Sequence, residues 1–404
     1  MIINRDLLLE INLIKVNDSF YTVGYGNNVF SVGAILYDTL KHVKEGGSIS
    51  DAKIKINEKY KTEISESFIN EEIVKFTRKL TASQEKKGSN EQYIYMKVKI
   101  LGKKAINLLT YPFLFLFNKF FFIFLVLTAI GCSFLLLKNI YSEGILNSEV
   151  SLSYSFWGII LTYLGFCVLG LFHELGHATA SRYFGKPSQQ IGFGFYLIFP
   201  VFYTDVTQIW QISNSKRVIV NLAGIYFQLL INILLFVLYV YASSMDLKII
   251  IKFFFVSNVI LLVYSLNPFL RNDGYWVYSD LFNIPNLMSQ AALYPKKMYS
   301  ILKNRTTLKE KLKFIFNNKA LGVYSVFLYI VFSLFIFLFI WLTYQNILGI
   351  IQIYFAFDTL DLYSYQIYFK LFRLLFGLTI NVYFLRVILK RFFRKKRNLL
   401  YSKQ

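Results

Sequence analysis

Residues 156–184 read FWGIILTYLGFCVLGLFHELGHATASRYF, and their reading decides the fold. From Phe156 to Phe172 the run is nearly unbroken apolar, too hydrophobic for the outside of a soluble protein and close to membrane length. It ends in His173-Glu174-Leu175-Gly176-His177. Two histidines four apart on a helix share one face, about 6 Å apart along the axis. Both imidazoles can then reach one tetrahedral Zn²⁺ at roughly 2.0–2.1 Å. Glu174 lies about 100° round the helix, placed to serve as general base towards water. Without a partner, such groups at the end of an apolar helix would cost several kcal/mol, which marks them as functional.

A third ligand has few sources. The chain holds three histidines, and the remaining one, His42, falls in a soluble-looking segment. Cys132 and Cys167 sit inside apolar runs and read as small buried hydrophobes. A carboxylate is left, or no third protein ligand at all. Asp273 is favoured: it follows a membrane-length run, in the broken turn Asn267-Pro268-Phe269-Leu270-Arg271-Asn272-Asp273-Gly274-Tyr275. Irregular backbone at that depth is tolerated where protein or a water cavity covers it. Asp205, in Phe202-Tyr203-Thr204-Asp205, is the rival, read as outer-sphere or structural.

Hydrophobic residues make up 55% of the 404, and several runs are long enough to span a bilayer, which sets the class as multi-pass membrane protein. The formal charge of +21 resides in Lys/Arg clusters flanking those runs, as in cytoplasmic loops facing anionic lipid. No recognisable nucleic-acid module accompanies it, so nucleic acid is not expected as a partner. The start, Met1 to Val16, carries Asp6 and Glu10 and has no small-residue cleavage site, so no cleavable signal is expected.

Four segments follow. Residues 1–82 predict a β-hairpin, with strands near Leu9–Leu13 and Phe20–Tyr25, then helices Ser31–His42, Ser50–Tyr60 and Ser67–Leu80. Ser50 is the expected N-cap of the second helix, and Phe68, Ile73, Val74 and Phe76 the inward face of the third. Residues 83–112 hold a solvated linker and a strand, Tyr93–Ile100. Residues 113–290 hold the motif-bearing membrane core, and 291–404 a basic segment, two further spans and a basic tail. The six spans are Phe120–Leu137, the Phe156 helix, Val218–Ala242, Ile249–Leu266, Leu321–Leu342 and about Tyr368–Leu389. With both termini cytoplasmic, the outside loops 138–155, 243–248 and 343–367 carry only Lys138 and Lys248 as cations. Lys370 and Arg373, early in the sixth span, count against a clean boundary there. The fold class is thus mainly α: a polytopic helical bundle of about six spans, with a small N-terminal α+β, winged-helix-like cytoplasmic domain. Between the metal motifs, Gln190 to Val206 is strand-like and too broken by Gly for a spanning helix.

His173-Glu174-x-x-His177 with Asn267-Pro268 and Asp273-Gly274 resembles the site-2 protease family (M50-like) of intramembrane zinc metalloproteases, over roughly residues 156 to 285. The resemblance implies that His173, His177 and Asp273 hold zinc and that Glu174 activates water. It implies that Asn267 orients substrate or stabilises the oxyanion, with a plain helix cap as the alternative. It also implies a hairpin at Gln190–Val206 dipping into the membrane, whose strand edge could hold an extended substrate. Where the family often has Gly-Pro after Ala, this chain has Ala223-Gly224-Ile225, expected to alter helix packing and leave the chemistry untouched.

The runs Tyr196–Val206 and Asn267–Tyr275 are similar to a narrower branch, the peptide zinc metalloproteases of modified-peptide and bacteriocin maturation clusters. Residues 1–82 resemble PqqD-like modules that grip leader peptides. These likenesses imply a peptide or membrane-protein substrate, a peptide exporter as partner and a bacterial cytoplasmic membrane. Regulated proteolysis of a membrane-bound regulator, or a non-catalytic export or immunity protein, are the alternatives. Intact Glu174 and the lack of an inverted repeat argue against the last.

Overall fold

A computed structural model describes residues 9–17, 20–25, 28–85, 94–143, 156–196, 199–303, 307–355, 371, 374–382 and 386. Two compact units divide after Pro285.

The first unit opens with an antiparallel sheet of β1 (Asn12–Asn17), β2 (Phe20–Tyr25) and β3 (Asn28–Val32), in that order. β3 extends the expected hairpin to three strands. Helices α1 (Ala34–Lys44), α2 (Ile49–Tyr60) and α3 (Glu66–Glu85) follow. The α2 cap is Ser48, not Ser50: Ser48 and Asp51 bond reciprocally to each other's backbone, satisfying two N–H groups at once. Ile11, Val23, Leu40, Ile56, Ile73 and Leu80 close the core under the sheet. On α3 the inward residue is Ile69, while Phe68 is 49% exposed, a shift of one position that the helical period allows. β2 is buried on both faces because the sheet also packs on a 3₁₀ turn, Thr207–Gln211. At Gly24 any Cβ would come within 2.9 Å of Gln211 Nε2.

The strand expected at Tyr93–Ile100 is β4 (Ile94–Gly102), followed by α4 (Lys103–Thr110) and a 3₁₀ turn, Tyr111–Phe117. Then come α5 (Lys119–Glu143) and α6 (Phe156–Tyr183), the helix that carries the histidine motif. β5 (Gln190–Tyr196) and β6 (Phe199–Thr204) form the hairpin read from Gln190 to Val206. β4 pairs antiparallel with β5, so β5 is the middle strand of a second sheet. The unit continues with α7 (Asn214–Tyr241), α8 (Met245–Ser265) and α9 (Asp273–Leu281).

Helices α6 and α7 meet along a seam of small residues. A Cβ on Gly176 would sit 2.4 Å from the Ala223 carbonyl oxygen, so the two backbones touch. Phe117, Val220, Ala223, Tyr226 and Phe227 fill the space beside the seam, and Tyr226 donates its hydroxyl to the Leu116 carbonyl at 3.1 Å. Asn232, one of the polar residues that interrupt α7, has partners on both α5 and α8. Asn258 of α8 donates to Asn232 Oδ1 and to the Gln228 carbonyl, both at 2.8 Å, and Asn232 donates to Ser133 Oγ of α5 at 3.0 Å.

The second unit contains α10 (Leu287–Lys303), α11 (Leu308–Asn317) and α12 (Lys319–Phe355). Among the described residues the basic segment is largely helical. Ser325 of α12 donates to the Ala291 carbonyl of α10 at 2.8 Å.

Among the described residues four stretches are long and apolar enough to cross a membrane: Lys119–Ser142, Asn214–Tyr241, Met245–Ser265 and Lys319–Ile353. The second predicted span, the Phe156 helix, is not among these four, and the sixth, Tyr368–Leu389, falls largely outside the described residues, as does the basic tail.

Candidate metal centre

Helical spacing brings His173 and His177 to one face of α6, and α9 presents Asp273 in its first turn, after Asn272 as N-cap. His173 Nε2 lies 3.0 Å from Asp273 Oδ2, and His177 Nε2 lies 3.3 Å from Asp273 Oδ1. The two Nε2 atoms are 3.1 Å apart. Three donors around one tetrahedral Zn²⁺ would be spaced by about 3.3 Å, given metal–donor bonds near 2.0–2.1 Å. The observed triangle is close to that face.

The protonation pattern points the same way. His177 Nδ1 is 2.8 Å from the Val220 carbonyl oxygen of α7, which can only accept, so Nδ1 carries the proton. In the neutral ring Nε2 then presents its lone pair towards His173 Nε2 and the carboxylate. Lone pairs converging in a buried place repel unless a cation sits among them. The donor set, two imidazoles and one carboxylate, suits zinc.

Glu174 is partly exposed beside the pair, and one of its carboxylate oxygens lies within 4.8 Å of the ring nitrogens. Its backbone carbonyl accepts from Thr204 Oγ1 at 3.0 Å, which ties the hairpin to the motif. Asp205 has another use: its Oδ1 accepts from Thr207 N at 3.1 Å and Oγ1 at 2.6 Å, closing the 3₁₀ turn. Asn267 Oδ1 accepts from Phe269 N at 2.8 Å, so that end of its amide shapes the turn before α9.

Three contributors were not read from the sequence. Gly224 is one: a Cβ there would meet His173 Nε2 at 2.5 Å and His177 Nε2 at 2.6 Å, so both rings lie directly against this stretch of α7. A glycine inside an apolar helix costs about 1 kcal/mol against alanine, a signal that the backbone is approached closely. The second is the Val220 carbonyl, which has no side-chain signature. The third is Asp280 of α9, bound to Arg217 and Asn221 of α7. Burial raises the Asp280 carboxyl, with Arg217 and Asn221 pulling the other way.

The sequence profile of Peptidase family M50 matches residues 161–385. A Bacillus subtilis (strain 168) protein named "Putative peptide zinc metalloprotease protein YydH" is 34% identical over 162 residues, 39% of this chain. The match spans 60% of that relative's length. No solved structure matches the chain.

Proposed function

The chain belongs to peptidase family M50, and from that premise we propose that it is a membrane-embedded zinc metallopeptidase. The carrying observation is the triangle of His173 Nε2, His177 Nε2 and the Asp273 carboxylate, with edges of 3.0, 3.1 and 3.3 Å and Glu174 beside it. Zinc held there supplies a Lewis acid that polarises a carbonyl and makes water acidic enough to ionise near neutral pH. Glu174 takes the proton of the attacking water on a carboxylate oxygen and returns it to the leaving amine. His177, locked by Val220, keeps its ring in one tautomer throughout. Asn267 turns its Nδ2 end to a substrate carbonyl, its Oδ1 being committed to Phe269 N.

The substrate we propose is a peptide precursor, of the ribosomally made, modified or bacteriocin-like class, cut at an internal bond. The printed name of the Bacillus subtilis relative supports peptide zinc metalloprotease chemistry. Residues 1–82 would grip the precursor. Supporting this, β3 packs on the 3₁₀ turn Thr207–Gln211, which directly follows the hairpin at the centre. The six-span topology with residues 1–82 on the cytoplasmic side rests on the charge pattern and on the four apolar stretches.

The test is to incubate the full chain in nanodiscs with candidate precursor peptides, with and without a chelator, beside Glu174→Gln. Glu174→Gln should keep its zinc and lose cleavage by about 10²–10⁴-fold, the usual worth of a general base. Cleavage by Glu174→Gln at the wild-type rate would remove the proposed role.

A further inference from the structure

Helix α7 is the platform on which the whole centre is assembled. Its Val220 carbonyl holds His177, and Gly224 admits both rings. One turn before, it grips α9: Arg217 Nε donates to Asp280 Oδ1 at 2.8 Å, Arg217 Nη2 lies 2.7 Å from the same oxygen, and Asn221 Nδ2 donates to Oδ2 at 3.0 Å. Arg217 Nη1 donates to the Ile212 carbonyl at 3.0 Å, and Nη2 also donates to Asn214 Oδ1 at 2.9 Å. All three residues are buried: Arg217 is 3% exposed, Asp280 4% and Asn221 8%.

Asp273 and Asp280 are seven residues apart, two turns of α9, and so share a face. At nine residues, α9 is too short to hold its own shape without packing. Its orientation is set by what holds it, and a rotation by one residue, about 100°, would carry Asp273 off both rings. Its first turn is seated by Asn272 Nδ2 donating to the Tyr264 carbonyl at 3.0 Å, and its second half by Asp280. For stability alone, a buried ion pair is replaceable by apolar residues. What a forked, saturated pair adds is a single allowed register.

We propose that Arg217, Asp280 and Asn221 are positioning residues for the metal centre, fixing α9 on α7 so that Asp273 reaches both imidazoles. The inference rests on the zinc reading above and extends it to residues that touch neither metal nor substrate. The experiment compares Asp280→Asn, Arg217→Lys and Asn221→Ala with wild type, each as the full chain in nanodiscs. Zinc affinity is read by chelator competition, with Tm in parallel. Asn232→Ala, which removes a polar contact of α7 away from the centre, is the control for lost stability.

Asp280→Asn should weaken zinc by about 10–100-fold, the range typical of supporting groups around a metal. Arg217→Lys keeps the charge and loses the fork, and should weaken zinc several-fold; Asn232→Ala should lower Tm and leave zinc affinity unchanged. Should Asp280→Asn fail to fold, Arg217→Lys and Asn221→Ala decide. Wild-type zinc affinity in the folded variants, or equal loosening by Asn232→Ala at a matched loss of Tm, overturns the positioning role while leaving the zinc reading intact. Absence of zinc from wild type would remove the zinc reading itself and this inference with it.

Discussion

Helices α7 and α12 are both long and apolar enough to cross a membrane, yet they are built for different work. In α7 half of the most apolar window is buried within the protein, and in α12 none of it is. Helix α7 is interrupted by Arg217, Asn221, Gln228 and Asn232, each of them buried. Helix α12 exposes a run of aromatics, among them Phe332, Phe335 and Phe337. Apolar length shows that a helix can sit in lipid. The polar interruptions mark which face is packed, because polar groups facing hydrocarbon are costly.

The sharpest way to break this contrast is the same substitution in both helices. Gly224→Ala in α7 puts a methyl against both ring nitrogens, and zinc affinity should fall on the order of 100-fold, read by chelator competition. Gly349→Ala in α12 meets only the end of the Leu374 side chain, which can turn aside, and should leave zinc affinity and cleavage unchanged. Equal effects from the two would erase the distinction. Next in size, Asn232→Ala removes the link from α7 to Ser133 and Asn258. Unfolding in mixed micelles should show a loss of about 1 kcal/mol, typical of interhelical hydrogen bonds in bilayers. Smallest, Phe335→Leu on the exposed face of α12 should change stability by less than about 0.5 kcal/mol in the same assay.

The same contrast explains what could be read from residues alone. That His173, His177 and Asp273 lie close together was legible: helical period alone puts the histidines on one face, and a Pro- and Gly-broken turn after an apolar run singles out Asp273. Spans α5, α7 and α8 were found to within a few residues, since hydropathy needs no knowledge of partners. The bond between Arg217 and Asp280 joins positions 63 residues apart, and no local pattern announces it. The strand β3 was missed for a related reason: five residues, Asn28–Val32, carry too little alternation, and pairing with β2 makes them a strand. At the start of α2 the choice between Ser48 and Ser50 turned on Asp51, whose spacing from Ser48 is the reciprocal one. Partner-dependent features were the ones hidden.

The glycine seam between α6 and α7 has a consequence for traffic. Where Gly176 lies against the Ala223 carbonyl and Gly224 against the two rings, no gap the width of a polypeptide remains. That side of the centre is a wall. The β5–β6 hairpin and the turn that launches α9 border the centre elsewhere, the first through Thr204 on the Glu174 carbonyl and the second through Asp273.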